Sequence, residues 1–157
     1  AALTAAPSGL AAASSGPEQD AAAKHEERYV LLHLLGRGGF SEVWKAFDLV
    51  EGRYVACKVH KVNRQWSGAA QRNYLKHAER ELDIQRQLDH PRLMKLYDVF
   101  QYDSTTFVSV MEFSAGEDLE RRLKRTRSFR ESEARLIMMQ VLSALRHLAE
   151  QDSPVIH

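Results

Sequence analysis

The residues able to do chemistry gather in three short stretches. The first is Leu35-Gly36-Arg37-Gly38-Gly39-Phe40-Ser41-Glu42-Val43. Glycines between two strands let the backbone fold over an anion with its N–H groups exposed. An ordinary Gly-rich hairpin turn would carry the same residues. The loop joins strand to strand, unlike the Rossmann and Walker loops, which open a helix. The second stretch is Val55-Ala56-Cys57-Lys58. Side chains alternate on a strand, so Ala56 and Lys58 share one face and Val55 and Cys57 the other. A small Ala beside a Lys leaves room for a planar ligand and gives it a cation. A Lys stem laid along an edge strand would read the same way. The third is Glu81, on one helical stripe with Tyr74, Ala78, Gln85 and Leu88. An ionised carboxylate on a core-facing stripe is costly unless paired. Lys58, on the sheet this helix should cover, is the natural partner; the alternative sets Glu81 at the solvent edge of the stripe.

The elements that must position these groups follow from apolar pattern and breakers. Tyr29 to Leu35 is a compact apolar run ended by Gly36, a strand rather than a helix. Phe40 to Phe47 and Arg53 to His60 are two more strands, with a hairpin turn over Asp48 to Gly52. Residues 67 to 88 carry helix formers without Pro, and Pro91 stops that helix. Leu93 to Tyr102 and Thr106 to Phe113 read as strands, and residues 117 to 126 as a short helix. In the last helix Ala134, Ile137, Met138, Val141, Leu145 and Leu148 form an apolar stripe, with Ser128 and Glu131 as its expected capping box. Pro154 to His157 begins an extended segment. Short connections and the absence of a βαβ period imply an α+β domain, an antiparallel sheet with a helix on one face.

Composition narrows the rest. In 157 residues, 22 Lys and Arg stand against 21 Asp and Glu, a net charge of +1 that argues against direct nucleic-acid binding or a membrane surface. No apolar run approaches a membrane span. Cys57 is the single Cys, so no internal disulfide forms and an intracellular, reducing compartment is expected. One Cys cannot build a zinc site, and the seven His residues show no metal spacing. Arg121, Arg122, Lys124, Arg125, Arg127 and Arg130 form a basic run, either a solvated helix and loop or a docking site for acidic partners or nucleic acid. Trp44 and Trp66 read as packing residues. Residues 1 to 27 are an Ala-rich leader with interspersed Pro, Gly and Ser and few large apolar groups, expected to be disordered. The missing initiating Met suggests an internal piece of a longer chain.

From about Tyr29 to His157 these spacings resemble the amino-terminal lobe of a eukaryotic protein kinase, with the glycine loop, third-strand Lys and helix Glu in that order. At finer grain the chain resembles the Tousled-like Ser/Thr kinases. That likeness rests on residues 33 to 43, Trp66, Asn73-Tyr74, Lys76-His77-Ala78, Leu88-Asp89-His90-Pro91-Arg92 and Lys95-Leu96-Tyr97-Asp98. Ser41 replaces the third loop glycine of kinases in general, as it does in the Tousled-like loop. The resemblance implies a five-stranded antiparallel sheet plus one main helix over residues 28–115, followed over 116–157 by the first helices of a truncated carboxy-terminal lobe. It further implies that Gly36, Gly38 and Gly39 cover the phosphates of ATP. Leu35, Val43 and Ala56 would line the adenine pocket, and Lys58, held by Glu81, would contact the α- and β-phosphates. Met111 would be the gatekeeper, Glu112 to Ser114 the hinge, and Asp118 a ribose contact. His157 matches the His that opens the catalytic loop, so the base and the Mg²⁺ ligands are expected beyond residue 157. These residues alone are therefore expected to be inactive. By the same resemblance the intact protein is nuclear, phosphorylates protein Ser/Thr with histone chaperones as substrates, and oligomerises through regions outside this sequence. The rival expectation is a kinase-like binding module without catalysis.

Overall fold

The computed structural model describes residues 28–152 and 154–155. The expected leader and His157 lie outside these residues. Among the described residues, five strands and three helices follow in the order β1 (Tyr29–Arg37), β2 (Ser41–Asp48), β3 (Arg53–Lys61), α1 (Gly68–Gln87), β4 (Leu96–Asp103), β5 (Thr106–Glu112), α2 (Leu119–Thr126) and α3 (Glu131–Ala149). The chain divides into two compact units. Among the described residues, one unit holds residues 28–86 together with Leu96–Phe113; the other holds Gln87–Lys95 and the described residues from Ser114 onward.

The first unit is a single antiparallel sheet in the order β1-β2-β3-β5-β4, with α1 in the same unit. Its two faces differ because side chains alternate and directly opposed residues share a face. One face carries Tyr29, Ala46, Val55, Cys57, Val59, Phe100, Val108 and Val110, the buried apolar cluster. Trp44 packs against this cluster, as expected of a packing residue. Burial pushes the Cys57 thiol up to about 12, which leaves it an inert core group.

The β2–β3 turn shows why this corner is rigid. Gly52 takes a left-handed φ of 64°, and its N–H donates to the Asp48 carbonyl at 2.9 Å. The Asp48 carboxylate, 1% exposed, accepts two bonds from the Arg28 guanidinium at 2.8 and 2.9 Å and further bonds from the N–H groups of Val50 and Glu51. That arrangement holds its carboxyl below the ordinary carboxylate range, the Arg28 hydrogen bond first.

Strand β4 starts at Leu96, three residues later than expected from the sequence. Residues 90–93 instead form a turn, in which Leu93 N–H donates to the His90 carbonyl and Arg92 N–H to His90 Nδ1. In the second unit His90 Nε2 also lies 3.1 Å from Ser143 Oγ on α3. Helix α2 begins at Leu119, two residues late, because Asp118 caps it by accepting from Arg121 N–H at 2.7 Å. The expected Ser128–Glu131 capping box does not form. Arg130 is the N-cap, and the Glu133 carboxylate accepts its N–H at 3.2 Å. Helix α3 buries Ala144 and Leu148, while Leu136, Met138, Met139, Val141, Leu142 and Leu145 are exposed. Among the described residues no helix is long and apolar enough to cross a membrane.

Candidate functional site

The second face of the sheet gathers most of the candidate residues. Ala56 lies opposite both Lys45 on β2 and Met111 on β5. Lys58 lies opposite both Val43 and Ser109. Val43, Ala56, Lys58 and Met111 therefore point to one side, away from the apolar cluster, as the alternation along β3 predicts. Ala56 is small and almost fully covered, 3% exposed, whereas Lys58, Val43 and Met111 are half-buried.

Strand β1 brings the glycine stretch to the same side. Gly36 pairs with Val43, and irregular register flanks Leu31 to His33 and Leu34 to Gly36. Such bulges re-aim side chains, and Leu35 sits in the second of them, exposed. At the turn, Gly38 N–H donates to the Ser41 carbonyl at 2.7 Å. A Cβ on Gly38 would meet Ser41 Oγ at 3.2 Å, a tight contact that the Ser41 side chain would have to relieve by shifting. Gly36 and Gly39 are different. A Cβ at either would meet nothing within 4 Å, and neither has a left-handed φ. Their bareness leaves open space beside the loop and does not relieve the fold.

The expected contact between Lys58 and Glu81 is absent: no ion pair within 4.0 Å joins them, and Glu81 is exposed. The buried line of α1 runs through Ala78 and Leu82. Glu81 stands about 100° from Leu82 around the helix, at the edge of that line. The two groups still belong to facing surfaces. Tyr74, two turns before Glu81 on α1, has its Oη 3.4 Å from His60 Nδ1, and His60 is two residues from Lys58 on the same face of β3. Burial first, and the charge of Glu81 second, raise the Tyr74 hydroxyl above its ordinary value.

His60 was missed in the sequence reading, although the alternation that pairs Ala56 with Lys58 also puts His60 beside them. It is 7% exposed, stacks on Phe107 with centroids 4.3 Å apart, and places Nε2 3.3 Å from the buried Ser109 Oγ. Burial first, then the Lys58 charge, push its imidazole down to about 4. A neutral ring with one donor and one acceptor nitrogen suits Tyr74 and Ser109 together.

Of the remaining candidates, Glu112 ends β5 with its side chain exposed. Ser114 and Asp118 belong to the second unit, both exposed, and one Asp118 oxygen is engaged in capping α2. The basic run is largely self-neutralised: Arg121 pairs with Asp118, Arg122 with Glu133, Lys124 with Glu120 and Arg125 with Glu117. That is the solvated helix of the blander reading, with little free positive field. Among the described residues no group of three His, Cys, Asp or Glu could hold a metal ion.

Comparison with known proteins covers the same region. The protein kinase domain family matches residues 29–157. Over 131 residues, 83% of this chain, the sequence is 54% identical to serine/threonine-protein kinase tousled-like 1 of Caenorhabditis elegans, of which the match covers 14%. The human tousled-like 1 kinase is 55% identical over the same share, with 17% of it covered. The Arabidopsis thaliana kinase TOUSLED is 47% identical over 130 residues and 19% covered. The matched region thus spans less than a fifth of these relatives. Among solved structures, the crystal structure of Rad53 1-466 in complex with AMP-PNP superposes with a TM-score of 0.63 at 25% identity, covering 77% of this chain and 30% of that one.

Proposed function

The chain belongs to the protein kinase family, among the Tousled-like serine/threonine kinases, and on that footing we propose that the second face of its sheet binds ATP for phosphoryl transfer to protein Ser or Thr. The observation that carries this reading is the register that sets Val43, Ala56, Lys58 and Met111 on one face beside a glycine turn with open space at Gly36 and Gly39. Ala56 and Val43 supply apolar walls for a purine. Lys58 supplies the cation for the α- and β-phosphates, and the turn's backbone N–H groups supply further donors. Within the same unit the Glu112 carbonyl is assigned to the purine edge.

ATP, when bound, supplies the phosphoryl group that is transferred. The chain's own residues bind and orient it; positioning of this kind is the main protein contribution to such reactions. Among the described residues no group of three His, Cys, Asp or Glu could hold Mg²⁺. The whole protein is assigned nuclear Ser/Thr phosphorylation with histone chaperones as substrates, supported by likeness to the Tousled-like kinases. Phosphorylation of purified histone chaperones by the intact protein, and its recovery from nuclear extracts, test that assignment.

The separation of Lys58 from Glu81 also suits a second reading, a nucleotide-binding module without catalysis. Calorimetry with ATP decides the first part. Lys58→Met is expected to weaken ATP about 10- to 100-fold, the worth of one or two charge-assisted bonds, while adenosine binds unchanged. Equal effects on both ligands would remove Lys58 from the phosphate site. Phosphoryl transfer by the intact protein separates enzyme from module.

A further inference from the structure

We propose that Phe40, Trp66 and Tyr74 form an aromatic latch that ties the glycine turn to helix α1 and sets the turn's position over the phosphates of ATP. The proposal rests on the ATP-binding reading and adds positioning residues to it. Phe40 is at the tip of the turn between β1 and β2. Its ring meets Trp66 edge-on with centroids 4.6 Å apart and Tyr74 at 6.2 Å, and Trp66 meets Tyr74 at 5.5 Å. All three contacts are near-perpendicular, at 70°, 73° and 66°, the arrangement the aromatic quadrupole favours.

Each ring is anchored on a different element. Phe40 belongs to the turn, and its carbonyl accepts from Lys61 N–H at the end of β3 at 3.0 Å. Trp66 lies in the segment before α1, where its N–H donates to the Asn63 carbonyl and its own carbonyl accepts from Gln71 Nε2. Tyr74 is on α1 and reaches the sheet through His60, which in turn meets Ser109. The latch therefore connects the turn, α1 and the Lys58 face of the sheet within one compact unit.

Phe40 is 48% exposed. Nothing in the apolar cluster holds it, so these edge contacts are its main side-chain anchorage, and they are weak enough to open. A turn that holds Gly38 and Gly39 has little stiffness of its own. Binding phosphates through its backbone N–H groups requires that stiffness from elsewhere, because only donors already in place give their full interaction. The adenine walls on β2, β3 and β5 do not depend on the latch. Its loss should therefore act on the triphosphate and spare the base. Because α1 also carries Glu81, turn and helix should move together.

The experiment uses the full chain in a Trp44→Phe background, where Trp66 is the only indole. Calorimetry measures ATP and adenosine separately, and Trp66 emission and acrylamide quenching follow the latch. Phe40→Ala, a change at a half-exposed side chain, is expected to raise quenching of Trp66 before nucleotide is added. It should weaken ATP about three- to tenfold with adenosine unchanged, the range expected for one aromatic contact. ATP should shift Trp66 emission in the parent and leave it unshifted in Phe40→Ala. Tyr74→Phe keeps the ring and should hold ATP affinity within about twofold, since the ring and not its hydroxyl meets Phe40. Normal ATP affinity in Phe40→Ala, equal loss for ATP and adenosine, or unchanged quenching would each overturn the latch alone. If the parent binds neither ligand, the ATP-binding reading falls, and the latch falls with it.

Discussion

Acidification offers a direct test of the face that carries Lys58. His60 is buried there between β5 and Tyr74, and burial with the Lys58 charge lowers its imidazole from 6.5 to about 4. The folded state keeps this ring neutral, whereas the unfolded chain protonates it below about 6.5. Stability from this group is therefore complete above the unfolded value and is lost as pH falls through the window between 6.5 and about 4. Linkage over that gap puts the loss at about 1 kcal/mol by pH 5.5 and about 2–3 kcal/mol by pH 4.5. His60→Gln removes the titration while keeping a donor and an acceptor for Ser109 and Tyr74. Urea unfolding of both proteins across this range reads the difference directly. Other groups titrate in both proteins and cancel in the comparison. Parallel loss of stability in wild type and variant would show that His60 does not carry the effect, and that the placing of a buried neutral imidazole beside Lys58 is wrong.

Asp48→Ala removes the buried partner of Arg28 and two acceptors of the β2–β3 turn, and should cost about 2–4 kcal/mol in denaturant unfolding, less than a fully buried pair because Arg28 is partly solvated. Its carboxyl is held below its ordinary 3.8, so its stabilisation is present above that value and fades as pH falls through the lower folded value; an acid limb steeper in wild type than in Asp48→Asn checks the sign. Met111→Phe should narrow the space beside Ala56 and weaken bulky adenine-site inhibitors more than ATP in competition binding; equal losses would remove Met111 from that wall. Glu81→Gln should leave unfolding within about 0.5 kcal/mol of wild type, since the carboxylate is exposed and unpaired with Lys58 here, while lowering phosphoryl transfer by the intact protein.

What the sequence determined by itself was periodic or local. Alternation along Arg53–Lys61 decided that Ala56 and Lys58 share a face and that Val55 and Cys57 enter the core, because a strand's period of two leaves no freedom once one face is apolar. Gly36, Gly38 and Gly39 marked a turn between strands, and a Pro-free run followed by Pro91 marked α1 to within a residue. Boundaries that depended on a side chain choosing its own backbone partner were less legible. Asp118 and Glu133 each moved a helix start by bonding one particular N–H, and His90 converted the expected beginning of β4 into a turn.

Tertiary structure alone decided the contacts made across elements. Glu81 and Ala78 share a stripe on paper, yet the rotation of α1 against the sheet is set by the burial of Ala78 and Leu82 together. That rotation leaves Glu81 at the edge and brings Tyr74 to His60 instead. Likewise Phe40, Trp66 and Tyr74 carry no common periodicity. They meet because a turn, a linker and a helix are folded back on one another, and the energy that holds them there comes from packing between residues far apart in sequence, which no local pattern records.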